Sequence, residues 1–589
     1  MILDIADLAD GQELSADLCI VGAGAAGIAL ALKLMNRGLD VLVVESGGHR
    51  HEDDVQDLYA GSVADPTLHA PTDRFRCSQL GGSTTLWGGR CVPFDAIDFE
   101  KRNYVAHSGW PITLDELLPY YREANRLCEA GAFAYQIDEA FGRPMKPMIE
   151  GFESSAFSTD CIERFSKPSN FAERYGPELE VARNVRVLLH ATATQFSSDD
   201  SGRTLSRLTL RSLRGRSVTV RARAFVLAAG GLEVARLLLA NRTLHPDGIG
   251  NQHGVVGRYY MCHIAGTIGR IKIDRPNSAV WHDYDVADDG TYCRRRFALL
   301  SEAQRQHRIG NFVARLHHPQ IGDPAHRTAA LSLVFLGSRL LPWEYRIRVA
   351  GSDGASLGHY AHHFTNVMLD PQSAVRFAYR MVTGRFLARR KIPSLVVKTK
   401  ANLFSLDFHA EQVPNPESRI GLGNETDALG IPRIHVDWRY SPQDVATVAK
   451  SVELLASDFK SSGAGTLSYD PGTIEAEMTR YGAYGGHHVG TARMGDDPRS
   501  SVVDRNCRVH GVDNLYIASA ATFPTSSQAN PTLTIVALTL RLAEHLQGKL
   551  QLTRSSSDKK AVISEIGIGG RDSASFGAEN LLSKQLAQH

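Results

Sequence analysis

The stretch DLCIVGAGAAGIALALKLMNRGLDVLVVES, residues 17–46, reads as one strand-helix-strand unit. The apolar run Leu18–Val21 predicts a buried strand, residues 25–37 a helix stopped by Gly38, and Val41–Val44 a second buried strand. Gly22, Gly24 and Gly27 fit G-x-G-x-x-G at the first strand-to-helix turn, and Glu45 closes the second strand. The three glycines serve different ends. Gly22 permits the tight turn, Gly24 lets a pyrophosphate approach the backbone, and Gly27 lets helix and strand pack closely. Free N–H groups at the helix start face the phosphates, and Glu45 can accept hydrogen bonds from ribose hydroxyls. A bare glycine pattern would fit any tight turn in a parallel sheet, but one bracketed by two strands and followed by an acid predicts a dinucleotide site.

Outward from this unit, RAFVLAAGGLEVARLLLANR at 223–242 repeats the strand-turn-helix pattern without the third glycine or a following acid. It predicts another element of the same cofactor domain rather than a second nucleotide site. In WPITLDELLPYYREANRLCEAG (110–131), Thr113 and Glu116 form a capping box for a helix stopped by Gly131. Residues 401–440 alternate as antiparallel strands, FSLDFHAEQ, SRIGLG and PRIHVDWRY, with a turn at Asn424-Glu425-Thr426-Asp427. Ser441-Pro442 opens a helix to about Phe459, and Asn530-Pro531 opens a long apolar one with Asn530 as N-cap and Pro531 in the first turn.

The chain has 589 residues, 65 basic and 64 acidic, for a net charge of +1, so no polyanion partner is implied and no nucleic acid is expected. No basic run suited to nucleic acid or an anionic membrane is found, and no apolar run approaches the roughly 20 residues of a membrane span, so no membrane insertion is expected. Eight scattered cysteines without a C-x-x-C pair point to reduced, mostly buried thiols rather than a metal or disulfide framework. The N-terminus lacks a signal core, which leads us to expect a cytoplasmic protein. The doublets His317-His318 and His362-His363 lack acidic or cysteine partners at ligand spacing, so no metal is expected.

Two loops carry the chemistry. LGGSTTLWGGRC (80–91) sets four glycines around small hydroxyl residues, a loop able to lie flat against a large planar group. GGHHVGTARMG (485–495) holds a histidine doublet that could ligate a metal, bind an anion or contain a base, and spacing alone does not choose.

With these segments in hand, the sequence resembles the glucose-methanol-choline (GMC) family of FAD-dependent oxidoreductases over most of its length. The carriers are GAGAAG, LGGSTTLWGG, HHVGT and NPTLT, with ANPTLT and GTARMG nearest to pyranose oxidases and bacterial sugar or glycoside oxidoreductases. The resemblance implies an α/β chain (α+β mixed), with a Rossmann-like FAD-binding domain and a discontinuous substrate domain built on an antiparallel sheet. The expected layout is FAD-binding segments at 1–105, 181–270 and 481–550, a helical cap at 106–180, a substrate domain at 271–480 and a flexible tail at 551–589. It implies a catalytic pair, His487 three residues before Gly490, and Asn530 at the start of the last helix. It maps FAD contacts onto Ala25, Ala26, Glu45, Gly82, Ser83, Thr84, Trp87, Gly88, Ala193, Ala229 and Thr532, beside the motif glycines Gly22, Gly24 and Gly27. Leu86 stands where pyranose oxidases often carry a flavin-linked histidine, so the FAD is expected to be noncovalent. Ser519 stands where many members have an aspartate.

The implied reaction oxidises a hydroxyl of a sugar, glycoside or related polyol to the carbonyl, with hydride transfer to flavin and an imidazole taking the hydroxyl proton. Oxygen, a quinone or a cytochrome are the candidate electron acceptors, and an oligomer is compatible with the chain. A sterol-like or biosynthetic alcohol as substrate, and a non-redox flavin lyase, are the competing readings.

Overall fold

In the computed structural model, the predicted unit forms as a parallel βαβ: strands Glu13–Val21 and Val41–Val44 flank the helix Ala25–Leu34, in register from Leu18 opposite Val41 to Val21 opposite Val44. The structure describes residues 1–566, except 168, 243–245, 342–345, 347–348, 350–355, 389, 395, 398, 400–401 and 481–485, with side chains as far as Leu552 apart from Phe386.

Around this unit a parallel sheet grows in both directions. Val185–Leu189 and then Ile2–Asp4 add beyond Val41–Val44, while Ser217–Leu227 and then Leu515–Ile517 add beyond Glu13–Val21. The strand around 223–227 therefore belongs to the same sheet, and its helix Gly230–Ala240 follows directly. Where these strands run side by side in the core they are apolar on both faces: Leu18, Ile20, Leu42, Val43, Phe225 and Val226 are all buried, while the first halves of Glu13–Val21 and Ser217–Leu227 are more polar and partly exposed. Strands from residues 2–44, 185–227 and 515–517 make one core, so the cofactor domain is discontinuous in sequence.

The second layer is a six-stranded antiparallel sheet in the order Gly465–Ser468, Ile264–Ile273, Leu403–Ala410, Phe312–His317, Phe297–Leu299, Phe157–Ser158. The boundary drawn at residue 270 thus falls inside a strand, and the cap segment lends the edge strand 157–158. Of the three antiparallel runs in 401–440, the first joins this sheet, while Arg419–Thr426 and Pro432–Asp437 pair as a separate hairpin. The hairpin's turn lies at 427–430 instead of 424–427. The Asp427 carboxylate accepts from the N–H groups of Leu429 (2.8 Å) and Ile431 (3.0 Å), and Gly430 supplies the left-handed φ of +78° that the turn requires.

The helix Leu114–Leu127 starts on the expected capping box, Thr113 and Glu116 each receiving the other's N–H at 3.3 Å, but it ends at Leu127, before Gly131. Thr113→Ala is expected to cost about 1 kcal/mol of stability, read as a lower urea midpoint at unchanged slope. The helix Pro442–Ser461 likewise opens on a Ser441–Asp444 capping box. The last helix begins at Thr532, where the Pro531 carbonyl receives the Ile535 N–H (2.8 Å), one residue later than expected. Asn530 is therefore not its N-cap, and its side chain is left for other work. That helix runs to Ile566, so the start of the expected tail is helical, and 567–589 lie outside the described residues. Among the described residues, no helix is long and apolar enough to cross a membrane.

Candidate active site

The three motif glycines stand in different surroundings. Gly22 has φ +106°, and a Cβ there would lie 2.7 Å from the Ala228 carbonyl oxygen; at Gly27 it would lie 1.9 Å from the Gly22 oxygen. Gly27 is thus a packing residue and does not line the cavity. At Gly24 a Cβ would meet nothing closer than Gly82 Cα, 4.0 Å away, so the bare backbone opens onto space. The following helix has no side-chain cap, which leaves its first N–H groups turned to that space. The loop 80–91 is fixed to this one: Gly81 donates to the Ala23 carbonyl at 2.9 Å, and a Cβ on Gly82 would lie 2.9 Å from Gly24 Cα.

One cavity of about 520 Å³ runs along both loops, and every predicted cofactor residue except Gly27 lines it. Glu45 is buried at its end, accepting from Ala23 N–H (2.8 Å) and Gly47 N–H (3.1 Å), and burial lifts its carboxyl to about 7 against those bonds. The Thr84 hydroxyl is spent on the loop itself, donating to Gly81 O (2.6 Å) and accepting from Phe171 N–H (3.0 Å), so Thr84 offers the cavity its remaining surface. Trp87 is pinned edge-on to Phe171 and donates its indole N–H to Ser169 O at 3.1 Å. Ala193 and Ala229 sit at strand ends, Thr532 opens the last helix, and Leu86 also faces in. The Ser519 hydroxyl accepts from Ala521 N–H at 3.1 Å.

At the far end of the cavity the histidine doublet divides. His488 turns to Tyr260, its Nδ1 2.6 Å from the phenol oxygen, and stacks near His69. His487 turns the other way, with Nε2 3.1 Å from Asn530 Nδ2 and Nδ1 2.8 Å from His263 Nδ1. Residues 43 apart in sequence thus meet at the cavity wall, with the Asn530 amide turned to His487 rather than used for capping. The loop is held by close backbone contacts: Val489 and Met261 exchange both hydrogen bonds at 3.0 Å, and Gly490 donates to Ala520 O at 3.0 Å. Gly490 has φ +89°, and a Cβ there would fall 2.3 Å from Tyr259 O. The antiparallel Met261–Val489 bridge brings residues 263 and 487 opposite each other, two steps on either side.

His263 fixes the tautomer of its neighbour. Its Nε2 is 3.2 Å from the Ser526 carbonyl, which only accepts, so Nε2 carries the proton. Burial lowers the His263 imidazole to about 4, which keeps it neutral at pH 7 and leaves Nδ1 a lone pair. His487 must then donate from Nδ1, and its Nε2, unprotonated, accepts from the Asn530 amide at 3.1 Å. Between the ordinary histidine value of about 6.5 and 4, the unfolded chain binds a proton at this residue that the folded one refuses, so stability falls as pH falls through that window.

Behind the pair stands a charged wall. Arg90 reaches Asn530 Oδ1 and His409 Nε2, each at 3.5 Å, and its Nε lies 3.4 Å from Glu163. Burial alone would raise the Glu163 carboxyl, yet Arg315 and Arg90 hold it at about 2; Arg315 also reaches Asp407 at 3.1 Å. Nothing in the sequence singles out His263, Arg90, His409 or Glu163. Arg90 lies in the glycine loop 80–91 and His409 in one of the antiparallel runs, but nothing local marks their side chains, and only the tertiary fold assembles the four.

Elsewhere, His318 is buried with Nδ1 2.8 Å from Pro319 O, and His363 is stacked on Phe335. Among the described residues, no three side chains of ligand type converge on a metal site.

Comparison with known proteins places residues 414–539 under the family model described as GMC oxidoreductase. The chain is 25% identical to the 6'''-hydroxyparomomycin C oxidase of Streptomyces lividus over 92% of this chain and 93% of that one. It is also 25% identical to the fructose dehydrogenase large subunit of Gluconobacter japonicus, over 92% and 99%. Among solved structures, pyridoxine 4-oxidase from Mesorbium loti matches with a TM-score of 0.51 at 17% identity, over 90% of this chain and 98% of that one. The last likeness speaks to fold alone.

Proposed function

We propose that this chain, a GMC oxidoreductase acting on CH–OH donors, is an FAD-dependent enzyme that oxidises a hydroxyl of a sugar, glycoside or related polyol to the carbonyl. The observation that carries the reading is the His487–Asn530 pair, 3.1 Å apart at the end of a cavity that begins on the G-x-G-x-x-G loop. Bare Cα positions at Gly24 and Gly88, the uncapped helix start and the buried Glu45 carboxyl suit the pyrophosphate and ribose of FAD. When bound, FAD supplies the acceptor for the hydride leaving the carbinol carbon.

The protein's own part is proton handling and aim. His487 Nε2, unprotonated in this tautomer, takes the proton of the substrate hydroxyl as that hydroxyl enters between it and Asn530. Asn530 Nδ2 donates to the same oxygen and holds the carbinol in one orientation. The proton taken leaves His487 an imidazolium whose Nδ1–H still donates to His263, so no second transfer is needed. Arg90 and His409 add donors and acceptors beside the pair, a polar lining that suits several hydroxyl groups better than an apolar alcohol.

An anaerobic screen of sugars, glycosides and simple alcohols, with products identified, tests the reading. Bleaching of the flavin by a sugar with carbonyl formation is the expected result; substrate consumed with the flavin unbleached would make it a lyase. Leu86 offers no atom for a bond to flavin, so we further propose noncovalent FAD. Acid precipitation should release the yellow colour to the supernatant, and colour left on the pellet would refute this.

A further inference from the structure

Nine of the fifteen exposed large apolar side chains among the described residues fall between Leu340 and Leu387, where they are 48–91% exposed. Most belong to two consecutive helices, Leu357–Leu369 and Pro371–Met381, both packed on the apolar helix Ala329–Leu336. The first helix is inverted for a protein in water. Its two buried side chains are polar: His363, stacked on Phe335, has Nδ1 2.9 Å from Ser332 Oγ, and Asn366 donates to Pro324 O (2.9 Å) and Ser332 Oγ (3.1 Å). Its outward face carries Leu357, Phe364 and Met368 at helical spacing, and the second helix continues the pattern with Val375 and Tyr379, followed by Val382 just past its end. Isolated exposed apolar residues need no cause, but a contiguous face of this kind marks a contact surface.

Charge says what covers it. Residues 357–392 hold six cations, Arg376, Arg380, Arg385, Arg389, Arg390 and Lys391, against one acid, Asp370, in a chain of net charge +1. Arg376, Arg380 and Arg385 stand four and five residues apart and form no run in the sequence, while Arg389-Arg390-Lys391 is a run of only three. Arg376, Arg380 and Lys391 are exposed, and of these Arg380 also reaches Asp283 at 3.2 Å. A second copy laid face to face would set these cations against their own kind. An apolar helical face bordered by cations is the make-up of a helix that lies in the boundary of an anionic bilayer. We propose that this helical pair docks the protein on an anionic lipid surface, without crossing it. Arg385 donates to the carbonyls of Ile392 (2.5 Å) and Pro393 (3.0 Å), and Pro393 and Ser394 line the FAD-side cavity, so docking brings the rim of the cavity to the lipid.

The test is sedimentation of the full-length, FAD-loaded protein with vesicles of phosphatidylcholine alone or with about a third phosphatidylglycerol. Binding is expected to the anionic vesicles only, and to weaken with salt. Phe364→Asp with Met368→Asp should abolish it, and Arg376→Gln and Lys391→Gln should each weaken it roughly fivefold. All four positions are exposed, so the flavin spectrum should stay unchanged. Absence of binding to anionic vesicles, or binding that survives the aspartates, overturns the proposal. So does a solution dimer that the aspartates dissociate, which would give the face to a second copy. Sedimentation reads the protein itself and is independent of any turnover.

Discussion

His487→Ala is expected to yield a yellow protein that keeps its FAD while anaerobic flavin reduction by substrate slows about 10²- to 10⁴-fold. The size follows from the proposed role: the variant loses the group proposed to take the hydroxyl proton, while the motif glycines and Glu45, proposed to hold the cofactor, are left unchanged. Since the imidazole meets Asn530 and His263 through its two nitrogens, removing it leaves both partners in place but unconnected. Stopped-flow absorbance of flavin reduction, with the bound-flavin spectrum as control, checks it. Near-normal reduction would remove His487 as the base and with it the proposed mechanism. Loss of flavin instead would mean that the residue holds the cofactor.

His263→Leu is expected to be the next most damaging change, slowing flavin reduction about 10- to 100-fold with FAD still bound. Leucine fills the space but accepts no hydrogen bond, so His487 Nδ1–H loses its partner and the tautomer with a bare Nε2 is no longer favoured. A residue that merely filled the core would change stability and leave the pH profile alone. A positioning role predicts a shifted acidic limb of the reduction rate, because the basicity of His487 now depends on solvent rather than on a neutral neighbour. A variant of normal rate and unchanged profile would return His263 to packing. His263→Gln, which can offer an acceptor oxygen, should recover part of the rate.

Much of the cofactor half is legible in the chain. The uninterrupted apolar strands, the glycine spacing and Glu45 reflect local constraints: a Cβ at Gly27 collides with the Gly22 oxygen a few residues back, so the requirement is written close by in the sequence. The capping box at Thr113 and the helix start at Ser441-Pro442 are legible for the same reason. The hairpin turn is less so, because Asn424–Asp427 has the composition of a turn, while the deciding bonds run from the Asp427 carboxylate forward to Leu429 and Ile431. Asn530 reads equally well as a helix cap, and only the meeting with His487 settles how its amide is used.

What the sequence determined by itself is the nucleotide-type βαβ unit and the two loops able to carry chemistry, since those depend on neighbours a few residues apart. Tertiary structure alone decided which histidine of the doublet turns toward Asn530, and that His263, Arg90, His409 and Glu163 stand around it. The reason is distance along the chain: one backbone bridge between Met261 and Val489 sets residues more than two hundred positions apart in hydrogen-bonding contact. No local preference of either segment encodes that register.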